Sequence, residues 1–278
     1  MKIHFYKDSA GNFGDDLNDW IWKKLLPNDL SKFFDDETTF LGIGSILDTG
    51  VPKSKRLIVL GSGYAYSDPA VIDDRWKIYF VRGPLTARAL EIDQKLALTD
   101  GAILGTPLYQ SPDKTQDQVS FMPHHRNAKL AWKQICDDLE IQYISPDEGV
   151  DEVLDKISRS KHIITEAMHG AIVADAMRIP WTPVFTCGGI NLFKWRDWSS
   201  SMDIEIFPES LAQPISSHYS KGFKGKVRVI KNFFTCKMRM KYLKDNGKQY
   251  LSKAYVFKKR LLECQGGLDL MISDGLKS

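Results

Sequence analysis

Four short stretches place titratable groups beside glycine in ways that can support chemistry. The first is EAMHGAIVADAMRIPW, residues 166–181. His169 and Gly170 head a run of small apolar residues, just after a β-rich stretch ending at Thr165 and Glu166. Such a run means a buried helix, and a packed core histidine is the plain reading of a lone His. The position argues for the other reading. A helix starting near Met168 holds His169 in its first turn, where unpaired N–H groups and a partial positive charge face outward. Gly170 lets a ligand approach the backbone, and Glu166 offers a titratable partner at the strand end. His124, His125 and Arg126 end another strand-like run in the same half of the chain and could converge with His169 on an anion.

The second stretch is Val81-Arg82-Gly83-Pro84. Arg82 follows an apolar run and precedes a helix start. It is either a salt-bridging residue or an anion clamp, since a guanidinium beside a helix N-terminus suits phosphate or carboxylate. The third is Asn12-Phe13-Gly14-Asp15-Asp16-Leu17-Asn18. Asp15 either caps the following helix or, with Asn12, lines a cleft at a strand's carboxyl end. The fourth comprises Gly42-Ile43-Gly44-Ser45 and Gly61-Ser62-Gly63. Neither completes a dinucleotide fingerprint.

The elements that must position these groups follow an α/β pattern. Strands are expected at KIHFYK, FLGIGSIL, RLIVLGSG and KIYFV, with helices after Asn12 and at Pro84. The polar stretch 108–118 reads as a linker, after which the pattern restarts. Strands VSFM, IQYIS, HIIT and WTPVFT alternate with helices AKLAWKQICDDL, VDEVLDKISRS and MHGAIVADAMRI. The expected architecture is α/β: two Rossmann-like domains facing across a cleft, residues 1–112 and 118–210. A basic helical extension, residues 211–278, follows. It is expected to break near Asn246-Gly247 and to end in a poorly ordered tail, GGLDLMISDGLKS.

Composition narrows the function classes. The chain has 278 residues, 43% of them hydrophobic and 26% charged, as in a soluble globular protein. No apolar run nears the roughly 20 residues of a membrane span, and the N-terminus lacks a signal core. Cys136, Cys187, Cys236 and Cys264 are widely spaced, which suggests free thiols in a reducing cytoplasm rather than a zinc site. The net charge of +3 hides an asymmetry: residues 221–260 carry 14 Lys and Arg against one acid, Asp245. Such a block points to an anionic partner.

Taken together and in order over residues 8–190, NFGDDLN, GIGS, GSG, VRGP, TDGA and EAMHGAIVADAMRIPW resemble the polysaccharide pyruvyl transferases. The resemblance is closest to the bacterial exopolysaccharide branch acting on succinoglycan- or xanthan-type repeat units. It implies a GT-B-like fold and transfer of pyruvyl from phosphoenolpyruvate to two sugar hydroxyls as a cyclic ketal. It assigns His169 to the phosphate and carboxylate end or to proton transfer, and Glu166 to acid or base duty. Arg82, His125, Arg126 and Gly170 would bind the donor. Asn12, Asp15 and Asp16 would meet the acceptor. One departure is plain: many members carry arginine two residues before the motif histidine, where this chain has Ala167. No metal and no cofactor beyond phosphoenolpyruvate are expected. The acceptor implied is a polyprenyl-diphosphate-linked oligosaccharide at the inner face of the cytoplasmic membrane, with residues 221–260 resting on the anionic surface. A nucleotide-sugar glycosyltransferase of the same fold is the alternative. It needs a ribose site, for which no acidic pair is evident. Nucleic acid is not expected as a partner, because no RNA or DNA motif accompanies the basic block.

Overall fold

The computed structural model describes residues 1–9, 11–27, 37–109, 117–186, 191–215 and 222–277. The polar stretch read as a linker lies largely outside these residues, and so does Cys187. The other three cysteines are buried free thiols.

Two parallel sheets carry the chain. The first has strands β1 (Lys2–Ile3), β2 (Thr38–Leu41), β3 (Arg56–Leu60) and β4 (Trp76–Phe80), in that spatial order. Helix α1 (Phe13–Leu25) connects β1 to β2. Its acids Asp15 and Asp16 occupy the first turn and Lys23 and Lys24 the last, which matches the helix dipole. Phe13, Leu17, Ile21 and Trp22 form its buried stripe. The connections β2–β3 and β3–β4 carry no helix, unlike the repeating strand–helix alternation expected from sequence. They are stitched by bridges, Ser45 to Gly63 and Asp48 to Pro69. Helix α2 (Pro84–Ala89) follows β4.

The second sheet holds β5 (Gln118–Met122), β6 (Gln142–Tyr143), β7 (Ser160–Thr165), β8 (Trp181–Thr186) and β9 (Glu209–Leu211), ordered β6-β5-β7-β8-β9 and parallel throughout. The order reverses between β5 and β7, the doubly wound arrangement whose switch point lies between those strands. Helices α3 (Trp132–Asp138), α4 (Val150–Ser158), α5 (Met168–Ala176) and α6 (Leu192–Ser201) complete this half. Two parallel sheets of four and five strands are consistent with two Rossmann-like domains.

The halves share one apolar cluster. Phe13, Phe80 and Leu104 belong to it from the first half, and Val173, Trp181 and Trp198 from the second. A large apolar interface holds domains in a fixed relation. The C-terminal helices reinforce it. Helix α7 (Gly222–Asn246) covers the second sheet through Cys236, Met240 and Leu243. It ends before Gly247, where the sequence places a break. Helix α8 (Ala254–Lys277) returns to the first sheet, where Tyr79 donates a hydrogen bond to Asp274 at 2.9 Å. The expected disordered tail is therefore corrected to a helix that reaches Lys277. Gly266 and Gly267 resemble breakers, but a Cβ on Gly267 would sit 2.9 Å from the Phe80 ring, so the second glycine permits close packing. Leu268 and Met271 bury the apolar stripe. No helix among the described residues is long and apolar enough to cross a membrane.

One ion pair bridges the halves. Arg82, just after β4, donates from Nε to Asp197 of α6 at 3.0 Å, with both side chains fully buried. Asp197 also accepts from the backbone N–H groups of Leu85 and Thr86 and from the Thr86 hydroxyl, capping α2 across the interface. Removing one partner of a buried pair leaves an uncompensated charge. Asp197→Ala is expected to lower unfolding stability by about 3–5 kcal/mol in urea titrations. A loss under about 1 kcal/mol, the range of exposed pairs, would show the latch to be dispensable.

Candidate active site

A cavity of about 750 Å³ opens where the carboxyl ends of both sheets meet. The segments after β1 and β2 and the start of α1 line one wall, and those after β5, β6 and β7 line the other. It sits at the switch point between β5 and β7, where doubly wound sheets bind ligands.

The walls differ in charge. Asp8, Asp15 and Asp48 stand on the first-half wall, and Arg126, Lys129 and Lys194 on the second. Lys7 and Asp147 are the exceptions on each side. The starts of α1 and α5 meet at the cavity floor, and neither is capped by a side-chain hydrogen bond. The α5 dipole adds positive potential there, whereas at α1 the Phe13 N–H is taken by the Pro146 carbonyl and Asp15 and Asp16 offset the dipole. The two starts touch through Gly14 and His169: a Cβ on Gly14 would lie 2.2 Å from His169 Nδ1. Only glycine lets α1 approach the imidazole this closely.

His169 lines the cavity, as the sequence suggests. Its Nε2 points inward to Asp100 Oδ2 at 3.8 Å, too far for a hydrogen bond, and both atoms are buried without a partner. Burial, with the charges of Lys194 and Arg82, pushes the imidazole down to about 3. Burial pushes the Asp100 carboxyl up to about 6, against the pull of Arg82. The imidazole is therefore neutral near neutral pH. His124 and His125 also line it, their rings 4.2 Å apart. Burial and then the His125 charge hold His124 down to about 3, while burial and then Arg126 lower His125.

Asn12 and Asp15 line the opposite wall, joined by a 2.6 Å hydrogen bond from Asn12 Nδ2. Burial raises Asp15 to about 6, against Lys194 and the Asn12 hydrogen bond. Asp16 is not in the wall; its carboxylate accepts from the Asn12 backbone N–H at 3.0 Å and secures the helix start.

Three residues expected at the site lie behind it. Arg82 spends its guanidinium on Asp197, the Ser45 hydroxyl (2.7 Å) and the Tyr64 carbonyl (2.8 Å). The GSG turn serves this arginine, since a Cβ on Gly63 would sit 2.2 Å from its Cζ. Glu166 is fully buried and accepts from the His124 backbone N–H, Asn127 Nδ2 and the Thr186 hydroxyl. It holds the turn that presents His125 and Arg126 rather than facing the cavity. Gly170 packs beneath: a Cβ there would meet Met122 Sδ at 2.7 Å and Thr165 Oγ1 at 2.8 Å.

Two residues went unassigned in the sequence. Lys194 lines the cavity from α6, with Nζ 3.0 Å from the Tyr66 hydroxyl. Its signal is Asn191, which caps the helix after β8 by accepting from Phe193 N, three residues before the lysine. Asp100 belongs to the TDGA stretch, where its carboxylate accepts from Ala102 N. Among the described residues no group of three or more His, Cys, Asp or Glu side chains can hold a metal ion.

Fold and site define an α/β chain with a charged cleft at the carboxyl ends of two parallel sheets. The Polysaccharide pyruvyl transferase profile matches residues 12–186, and the chain belongs to that family of enzymes. It is 38% identical over 231 residues to the succinoglycan biosynthesis protein ExoV of Rhizobium meliloti (strain 1021), covering 81% of this chain and 72% of that protein. No solved structure matches it significantly.

The raised Asp15 carboxyl has a stability signature. A folded value near 6 against 3.8 in the open chain means the native state holds its proton longer than the unfolded state. Stability from this group is complete below about pH 4 and is lost as pH rises to about 6. Asp15→Asn removes that loss. Its stability relative to the parent should rise by up to about 3 kcal/mol between about pH 4 and pH 7. Parallel urea curves for the two proteins across this range would rule out the perturbed carboxyl.

Proposed function

We propose that the enzyme transfers the pyruvyl group of phosphoenolpyruvate to two hydroxyls of a terminal sugar on a lipid-linked exopolysaccharide repeat unit, closing a cyclic ketal. The supporting observation is the placement of His169 in the first turn of α5 against the start of α1, with cations on one wall and the Asp15 carboxyl on the other. In this reading the halves act as a GT-B-like pair, donor on the second and acceptor on the first. The cavity exceeds what the donor needs and leaves room for a sugar.

Phosphoenolpyruvate presents a phosphate and a carboxylate on one small frame. The α5 start, Lys194 and Arg126 match that charge. A neutral imidazole gains proton affinity when a multiply charged anion settles beside it. His169 then carries a proton to the enol. Asp15, its carboxyl raised by burial to about 6, takes the proton of the first hydroxyl. C3 accepts a proton, the first hydroxyl oxygen bonds to C2, and the C2–O bond to phosphate breaks. The second hydroxyl closes the ring. Of the two hydroxyl protons, one is balanced on C3 and the other on the departing phosphate. Asp100 steadies the inner edge of His169, and Glu166 and Arg82 position the loops around it.

The direct test is mass spectrometry of a lipid-linked oligosaccharide incubated with enzyme and phosphoenolpyruvate. The expected product gains one pyruvate less one water, with one phosphate released per product. Stabilisation by nucleotide sugars alone, without phosphate release, would favour the glycosyltransferase alternative. His169→Ala is expected to lower kcat by about 10²–10⁴-fold while keeping the melting temperature. Lys194→Ala should raise the donor KM by about 30–100-fold, with Lys194→Arg recovering most of it. An unchanged donor KM would remove Lys194 from the donor site.

A further inference from the structure

Helix α7 has a second apolar face that covers none of the described residues. Its inner face packs through Cys236, Met240 and Leu243. On the opposite side Phe223, Ile230, Phe234 and Met238 recur at spacings of seven, four and four, which places them on one outward ridge. They are 83%, 56%, 58% and 65% exposed, respectively. Lys224, Lys226, Arg228, Lys231 and Lys241 flank the ridge, all exposed and without an ion pair among the described residues. Across the whole helix eight basic residues face one acid, Asp245.

The N-terminal part of the ridge, Phe223 and Ile230, extends toward the cavity side of the molecule. Asn232 accepts from Ile215 N and donates to Gln213 O, while Gln213 Nε2 reaches Asn127 and Thr186 at the carboxyl ends of the second sheet. The ten residues of α7 before Asn232 therefore run past that edge, by about 15 Å at the helical rise. This is the edge on which the cavity opens.

We propose that this ridge of α7 docks the enzyme on an anionic lipid surface, with its apolar side chains in the acyl boundary and its lysines at the headgroups. Apolar residues flanked by cations are the composition of interfacial helices. Each basic residue near an anionic surface strengthens partitioning about fivefold. Pairing two copies through the ridge would set lysine rows against each other. Nucleic acid would leave the apolar ridge in a wet, polar interface. The docking surface is independent of the reaction assigned above and can be tested without donor or acceptor.

Co-sedimentation of the full chain with vesicles tests it, comparing phosphatidylcholine alone with phosphatidylcholine containing roughly a third phosphatidylglycerol. Binding should require the anionic lipid and weaken with salt. The double variant Ile230→Ser/Phe234→Ser should lose binding at least about tenfold, and Lys226→Glu/Lys231→Glu about 30-fold or more. Val71→Ser, which removes an exposed apolar side chain elsewhere, should bind like the parent. All three should melt like the parent. If the serine variant melts early, the lysine pair, being wholly surface charge, decides the matter. Equal binding to both vesicle types, no binding, or full binding by both double variants would overturn the proposal. So would a dimer-to-monomer shift caused by the serine pair, which would make the ridge a self-interface.

Discussion

A guanidinium with no exposure to solvent ties the two halves together. Arg82 leaves the first sheet and finds Asp197 on a helix of the second, and that carboxylate also caps α2. A buried pair of this kind contributes little net stability against a well-packed apolar substitute. It does penalise every arrangement that separates the partners. The arrangement it enforces fixes α6 against the first half, and α6 carries Lys194 to the cavity. The same arginine holds the Ser45 hydroxyl at the cavity wall. The shared apolar cluster reinforces one relative placement of the sheets.

With the walls fixed, electrostatics divides the cavity. Arg126, Lys129 and Lys194 stand on the second-half wall, and Asp8, Asp15 and Asp48 on the first-half wall. Burial does the tuning. It strips His169 of its charge and lifts Asp15 into the range where a carboxyl exchanges protons at working pH. Both shifts oppose what the groups would do in water, and perturbed groups in a cleft mark functional sites. Asp100 Oδ2 and His169 Nε2 face each other at 3.8 Å, both buried without a hydrogen-bond partner.

The second half was legible in some detail. Its strands and helices follow the expected pattern because buried parallel strands and an amphipathic or small-residue helix leave clear periodic signals. The first half was less so, since its inter-strand connections are bridged loops without helical periodicity. The sequence brings some of the candidate site residues to the cavity and leaves others behind it. His169, Asn12, Asp15, His125 and Arg126 reach the cavity. Arg82, Glu166, Gly170 and Asp16 sit behind it, because the residue types that bind ligands also satisfy buried polar groups. Gly63 of the GSG turn makes room for a buried arginine, a role that resembles phosphate binding when only spacing is visible.

By itself the sequence determined the local chemistry. It placed an imidazole in the first turn of a buried helix, an acid pair at another helix start, a basic aromatic C-terminal block and the order of the strands. These are properties of neighbours along the chain, where sterics, periodicity and dipoles act over a few residues. Tertiary structure alone decided which groups meet. Arg82 and Asp197 are 115 positions apart, and Trp20 and Asp151 are 131 apart. Gly14 touches His169 only because two sheets present their carboxyl ends to the same space. Such pairings depend on topology and on the desolvation of each group in its final surroundings, and spacing along the chain carries neither.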